Sequence, residues 1–280
     1  PSFLLPFVTL LYFSLFKIVV DKKDSYLILT AISLAAMLQI HLSSFLLLPI
    51  TFLFLVFLRP SIFRSKYFLF ALFTAFLLFI PFFIYTIQQH STQHIFDFLF
   101  SSRTPVSRLE NLRDSIGIPF MLATMYFGPY LLGSLHVISP EFLNHLFLFF
   151  DILISFLLGL SILLILRKTI KSPLFSEEHR PFLLLLGWFL LPIFFAILPG
   201  VNVSPHYMYI TYPSQFLLLA IFFKKFNGSI NLRRTLFSLT LVAYLAYIIF
   251  FYLAVITNGG TDSIYGIPLK SKIDVLEYVS

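Results

Sequence analysis

The sequence predicts an all-α, polytopic transmembrane helical bundle of about eight spans plus one outer re-entrant or interfacial segment. Three observations support this class. Of 280 residues, 59% are hydrophobic and 11% are charged, which is too little charge to cover a soluble domain. Apolar runs of about 20 residues, sufficient to cross a hydrocarbon core of ~30 Å, recur along the chain. Short basic segments separate many of these runs.

The basic segments predict which side of the membrane each loop faces. Lys and Arg number 19, and most of them lie in residues 17–24, 59–66, 167–180 and 224–234. Basic flanks of spans remain cytoplasmic, so the other polar stretches, which hold most of the seven histidines, are expected outside. The net charge of +7 therefore reflects orientation, and nucleic-acid binding is not predicted. The absence of cysteine excludes disulfides and thiol catalysis.

The first half of the chain is predicted to make three membrane elements. Residues 3–20 form a span that runs inward, and residues 67–87 form one that runs outward. Residues 26–58 are too long for one span and are basic at both flanks, so they are expected to turn back as two short helices. Four polar residues interrupt that run near its middle: Gln39, His41, Ser43 and Ser44. Backbone of this kind is tolerated where protein or a wet cavity surrounds it.

An outer loop, residues 88–115, is predicted to follow. Residues 116–135 are apolar but broken by glycine and proline, and a crossing there would place every later basic loop outside. They are therefore expected to lie on or partly in the outer face.

The second half is predicted to add four crossings, at residues 142–166, 182–198, 206–223 and 236–256. Residues 1–256 would thus form a transmembrane domain, and 257–280 the start of an extracytoplasmic C-terminal region. Because the first residue is Pro1, we expect the chain to be an internal piece of a longer protein.

Three arginines of the outer loop are candidates for binding an anion: Arg103, Arg108 and Arg113. Guanidinium groups match the geometry of phosphate oxygens. The alternative is an ordinary solvated loop whose charges are balanced by Asp97, Glu110 and Asp114.

His206 and Tyr207 open a predicted span in which polar residues continue inward to Gln215, some 13 Å deeper at ~1.5 Å per residue. Interfacial anchoring explains a histidine and a tyrosine at a membrane boundary. It does not require the deeper polar residues, which favour the wall of a cavity and a ligand-binding role.

Three further sites have both a functional and a structural interpretation. His41 either contributes to a site or is a helix-capping or packing histidine. Asp151 lies within a span, where a carboxylate must face water or the bundle interior, and a tyrosine hydroxyl is the structural partner it would need. His90 and His94 have the spacing of metal ligands but lack a third ligand in register, so neither a metal nor another cofactor is predicted.

Several stretches resemble GT-C-type membrane glycosyltransferases of the protein O-mannosyltransferase-like and aminoarabinose-transferase-like branch. They are residues 38–44 with Leu48-Pro49 and Arg59-Pro60, residues 188–192 with His206-Tyr207 and Tyr212-Pro213, and residues 263–266 with Lys270 and Lys272.

This resemblance implies transfer of a sugar from a polyprenyl-phosphate carrier to a lipid, glycan or protein acceptor. The reaction would occur at the outer face of the bacterial cytoplasmic membrane. The catalytic base of such enzymes lies in the first outer loop, which would precede Pro1, so no catalytic residue is assigned. The substrate-binding candidates are His206, Tyr207, Arg103, Arg108, Arg113 and His41.

Two other functions share the outer-face polarity. One is a transporter or flippase of lipid-linked sugars, which would show internal repeats and polar residues near the midplane from several helices. The other is a polymerase or ligase of surface glycans. An acidic residue in an outer loop upstream of Pro1 would favour the glycosyltransferase.

Overall fold

The computed structural model describes residues 4–88, 116–117, 119–120, 123, 141–170, 176–197, 205–226 and 228–258. Within these residues the chain is all-α, as predicted. The α-helices are α1 (Leu4–Val19), α2 (Tyr26–Ile40), α3 (Leu47–Leu58), α4 (Lys66–Gln88), α5 (Glu141–Ile170), α6 (Arg180–Ile197), α7 (Tyr212–Lys225) and α8 (Ile230–Asn258). In the described part of the chain, three 3-10 segments accompany them, η1 (Leu42–Leu46), η2 (Pro60–Arg64) and η3 (Pro205–Thr211).

Three helices of the described part are long and apolar enough to cross a membrane: Lys66–Tyr85 of α4, His145–Ile170 of α5 and Ile230–Phe250 of α8. Each corresponds to a predicted span. Other apolar helices are shorter, and α1, with 16 residues, extends only about 24 Å at ~1.5 Å per residue. Large apolar side chains on α4, such as Phe73 and Phe76, are exposed, as expected for contact with lipid. The structure therefore indicates a membrane protein.

The chain divides into two compact units. Unit 1 comprises Pro1–Pro119 and Ile162–Leu218, and unit 2 comprises Phe120–Ser161 and Leu219–Ser280.

In unit 1, the segment from α2 to α3 turns back as predicted. Helix α2 ends at Ile40, and the extended backbone of His41 leads into η1. The Arg59 guanidinium, after α3, lies 3.3 Å from the Asp24 carboxylate, before α2. The start of α2 and the end of α3 therefore lie next to each other. The Gln39 side chain donates a hydrogen bond to the Leu78 carbonyl (3.1 Å), so the last turn of α2 lies against α4.

Ion pairs bring three of the predicted basic segments together at one end of unit 1, called the basic end below. Its cation–carboxylate pairs are Lys17–Asp21, Lys22–Glu177, Arg59–Asp24, Lys168–Glu178 and Arg180–Glu177. Helices α1 and α3 end there, and α2 and α6 begin there. The structure thus brings together at one end of unit 1 three segments that the charge pattern predicts to lie on the same, cytoplasmic, side of the membrane.

In unit 2, α5 and α8 pack through aromatic side chains. The rings of Phe147 and Tyr247 lie 5.6 Å apart in a stacked arrangement, and Phe250 approaches Phe147 edge-on at 5.0 Å. The Tyr244 hydroxyl donates a hydrogen bond to the Ala123 carbonyl (2.8 Å). This pairing fixes the rotation of α8 about its axis.

Candidate functional site

A buried aromatic cluster joins α1, α3 and α6 in unit 1. The rings of Tyr12 and Trp188 are stacked, with centroids 3.7 Å apart and planes inclined by 9°. Phe54 meets Tyr12 edge-on at 6.1 Å. Gly187 makes this arrangement possible, since a Cβ at that position would lie 2.5 Å from Phe54 Cε1. Only glycine lets α6 approach α3 so closely.

Trp188 also holds η3, the segment that begins with Pro205 and includes His206 and Tyr207. Its indole N–H donates a hydrogen bond to the Ile210 carbonyl, 2.7 Å away and buried. Indole nitrogen can only donate, so its partner must be an acceptor, which here is a backbone carbonyl. The predicted histidine and tyrosine cluster is thereby tied to the aromatic cluster through its backbone.

The structure brings two of the predicted site segments together. Segment η1, which follows His41, contacts η3, and both segments contact α6. Residues separated by more than a hundred positions in sequence are therefore neighbours. This adjacency concerns the backbones of η1 and η3.

His41 itself is half-buried at the end of α2. Its backbone N–H donates a hydrogen bond to the Met37 carbonyl (2.9 Å), which caps the helix. Burial lowers the pKa of the His41 imidazole because desolvation disfavours the charged form. The capping interpretation therefore holds for the backbone, and burial favours the neutral form of the side chain.

Four buried oxygens on elements of unit 1 have no hydrogen-bond partner among the described residues. They are Tyr12 Oη, Ser44 Oγ, Thr51 Oγ1 and Gln215 Oε1. Their elements are linked: α1, α3 and η1 contact η3 or one another, and the Gln215 amide donates to Thr211 of η3 at 2.8 Å. Buried polar atoms are nearly always bonded, so these oxygens are suited to ordered water or to ligand hydroxyls.

Asp151 belongs to unit 2 and has the structural partner considered in the sequence analysis. The Tyr247 hydroxyl donates a hydrogen bond to Asp151 Oδ1 at 2.6 Å. Tyr247 is fully buried, so the bond joins α5 and α8 inside the unit. Asp151 therefore acts as a packing partner in this structure.

The remaining predicted site residues lie outside the described residues: Arg103, Arg108, Arg113, His90 and His94. Within the described part, no group of three His, Asp or Glu is arranged to hold a metal. Sequence reasoning missed the aromatic cluster. Its available signal was Trp188, the single tryptophan of the chain, directly after a glycine.

Comparisons with known proteins add no assignment. No family model matches the chain, and neither a curated protein nor a solved structure matches it.

Proposed function

We propose that the chain belongs to a multi-pass membrane glycosyltransferase of about eight crossings and one outer re-entrant segment. It would move a sugar from a polyprenyl-phosphate carrier to an acceptor at the outer face of the bacterial cytoplasmic membrane. The observation that supports this most is the meeting of η1 and η3 beside buried, uncharged oxygens.

The position of this meeting point agrees with an outward-facing site. Helix α2 has 15 residues and begins at the basic end, so its last residue lies about 20 Å from that end at ~1.5 Å per residue. Lys- and Arg-rich ends of spans are retained in the cytoplasm. His41 and the contact between η1 and η3 are therefore on the side expected to open outward.

The chemistry of the buried oxygens favours a neutral, hydroxyl-bearing ligand. Tyr12, Ser44 and Thr51 each carry a hydroxyl, which can donate and accept a hydrogen bond, and Gln215 offers an amide oxygen as an acceptor. Ligand sites commonly combine aromatic walls with a few placed polar groups. Sugar hydroxyls match this set better than a charged ligand does.

In the proposed reaction, an acceptor oxygen attacks the anomeric carbon, and the bond from that carbon to the carrier phosphate breaks. The phosphate leaves with the electron pair, and the acceptor proton passes to a general base, to which no residue is assigned. Arg103, Arg108 and Arg113, with His206 and Tyr207, would stabilise the charge of the leaving phosphate. Donors fixed in a poorly hydrated site are effective at this task.

The test uses the intact protein in membranes with a labelled polyprenyl-phosphate sugar. His206→Ala and Arg103→Ala should each lower sugar transfer while leaving insertion unchanged. His145→Ala and Arg234→Ala are matched controls, because both side chains lie on exposed or partly exposed helix surfaces of unit 2, and both should transfer normally. Wild-type transfer by both site variants would refute the site assignment. Translocation of the carrier without transfer would instead identify a flippase.

A further inference from the structure

The basic end of unit 1 contains more positive than negative groups. Its ion pairs involve five cations and four carboxylates. The two arginines in these ion pairs are Arg59 and Arg180, and their side chains are only 22% and 20% exposed. They are therefore largely removed from water, where a guanidinium requires acceptors.

Each of these arginines has an unused buried donor. Arg59 reaches Asp24 through Nη2, and Arg180 approaches Glu177 through Nη1 at 3.6 Å. The Nε atoms of both are buried and have no hydrogen-bond partner among the described residues. A guanidinium can only donate hydrogen bonds, so each of the two buried Nε–H groups needs an acceptor.

His179, directly before Arg180, adds a third buried nitrogen without a hydrogen-bond partner among the described residues. His179 is only 1% exposed, and its Nδ1 has no hydrogen-bond partner within the described part of the chain. The residue ends the turn that leads into α6, where its backbone N–H bonds to the Ser176 carbonyl at 3.0 Å. The backbone of His179 is therefore held beside the start of α6.

The Glu177 carboxylate lies in the electric field of both arginines. Its carboxylate lies 2.5 Å from Lys22 Nζ and 3.6 Å from Arg180 Nη1. The hydrogen bond from Lys22, together with the positive charges of Lys22, Arg180 and Arg59, lowers the pKa of Glu177. Arg59 and Arg180 thus contribute to a common positive field, and Glu177, with 66% of its side chain exposed, marks its open side.

We propose that Arg59, His179 and Arg180 form a binding site for a phosphate-type anion at the basic end of unit 1. The buried Nε–H donors would bind the phosphate oxygens, whose geometry suits guanidinium groups. Basic pockets at the cytoplasmic ends of membrane helices bind lipid headgroups. The anion is either the headgroup of an anionic phospholipid or free phosphate. This site lies at the opposite end of α2 from His41 and is independent of the proposed transferase site.

The decisive variant is the double substitution Arg59→Lys with Arg180→Lys. It keeps both charges and allows the pairs with Asp24 and Glu177, but it removes both Nε–H donors. The double substitution Arg233→Lys with Arg234→Lys is the matched control, because it makes the same change in another basic segment. Emission from Trp188 checks that each variant is folded.

Binding is measured with the full chain in nanodiscs of phosphatidylcholine, with or without phosphatidylglycerol, and separately with inorganic phosphate. We expect the Arg59/Arg180 variant to bind the anion about tenfold more weakly, because hydrogen bonds to charged groups are lost. The control should bind like the wild type. A loss specific to phosphatidylglycerol identifies a lipid site, and a loss specific to inorganic phosphate identifies a free-anion site. Equal binding by both double variants would overturn the proposal, since charge alone would then explain any attraction.

Discussion

The close approach of α3 and α6 at Gly187 gives a quantitative prediction for Gly187→Ala. The added Cβ would lie 2.5 Å from Phe54 Cε1 and 2.7 Å from Cζ, about 1 Å short of ordinary carbon contact. Phe54 is 5% exposed and packed against Tyr12, so its ring has little room to move. Overpacking of this kind costs ~1–3 kcal/mol.

Gly159→Ala is the matched control, because no atom lies within 4 Å of its Cβ position. Both substitutions replace a helical glycine, which alone favours the variant by ~1 kcal/mol. The difference in unfolding free energy between the two variants therefore isolates the overpacking cost. We expect Gly187→Ala to be less stable than Gly159→Ala by ~1–3 kcal/mol.

The assay is unfolding in detergent, followed by the fluorescence of Trp188, the single tryptophan, which is stacked on Tyr12. Adding Phe54→Leu to Gly187→Ala should recover part of the lost stability, because the smaller side chain vacates the space of the new methyl group. If both alanine variants have the same free energy of unfolding, the packing of α3 against α6 is not as described.

Three other predictions concern different parts of the molecule. Tyr247→Phe should lower stability by ~1.5–3 kcal/mol, since it removes a hydrogen bond to a charged group, and the effect should shrink when measured in an Asp151→Asn background. Because the pKa of His41 is lowered in the folded state, its contribution to stability is present above the unfolded pKa of ~6.5. It is lost as the pH falls below that value, and His41→Gln should flatten this part of the stability–pH profile. A reporter fused after Ser229 should be cytoplasmic, whereas a cytoplasmic report from residues 88–115 would contradict the predicted topology.

The two proposed sites respond to different perturbations. Substitution of Arg59 and Arg180 should change anion binding at the basic end. Substitution of His206 should change sugar transfer. A protein that binds phosphatidylglycerol through the basic end and transfers no sugar would retain the first proposal and lose the second.

The sequence alone determined the helical class and the approximate limits of α1 to α4, whereas α7 begins at Tyr212 and α8 at Ile230, about six residues from the predicted starts. Long apolar runs require internally bonded backbone, and the basic segments at residues 17–24 and 59–66 require the chain between them to return. The turn at His41 follows from these two facts, and the structure shows it in the pair Arg59–Asp24. These inferences succeeded because they depend on length and charge, which are local properties of the chain.

Only the tertiary structure decided which side chains meet. The stack of Tyr12 on Trp188, the bond from Trp188 to Ile210 and the contact of η1 with η3 join residues distant in sequence. Helix rotation and tilt, set by packing at positions such as Gly187, select those partners from many apolar possibilities. A hydrophobic run fixes that a helix forms, but the shape of its neighbours fixes which of its faces is buried and which polar atoms are enclosed with it.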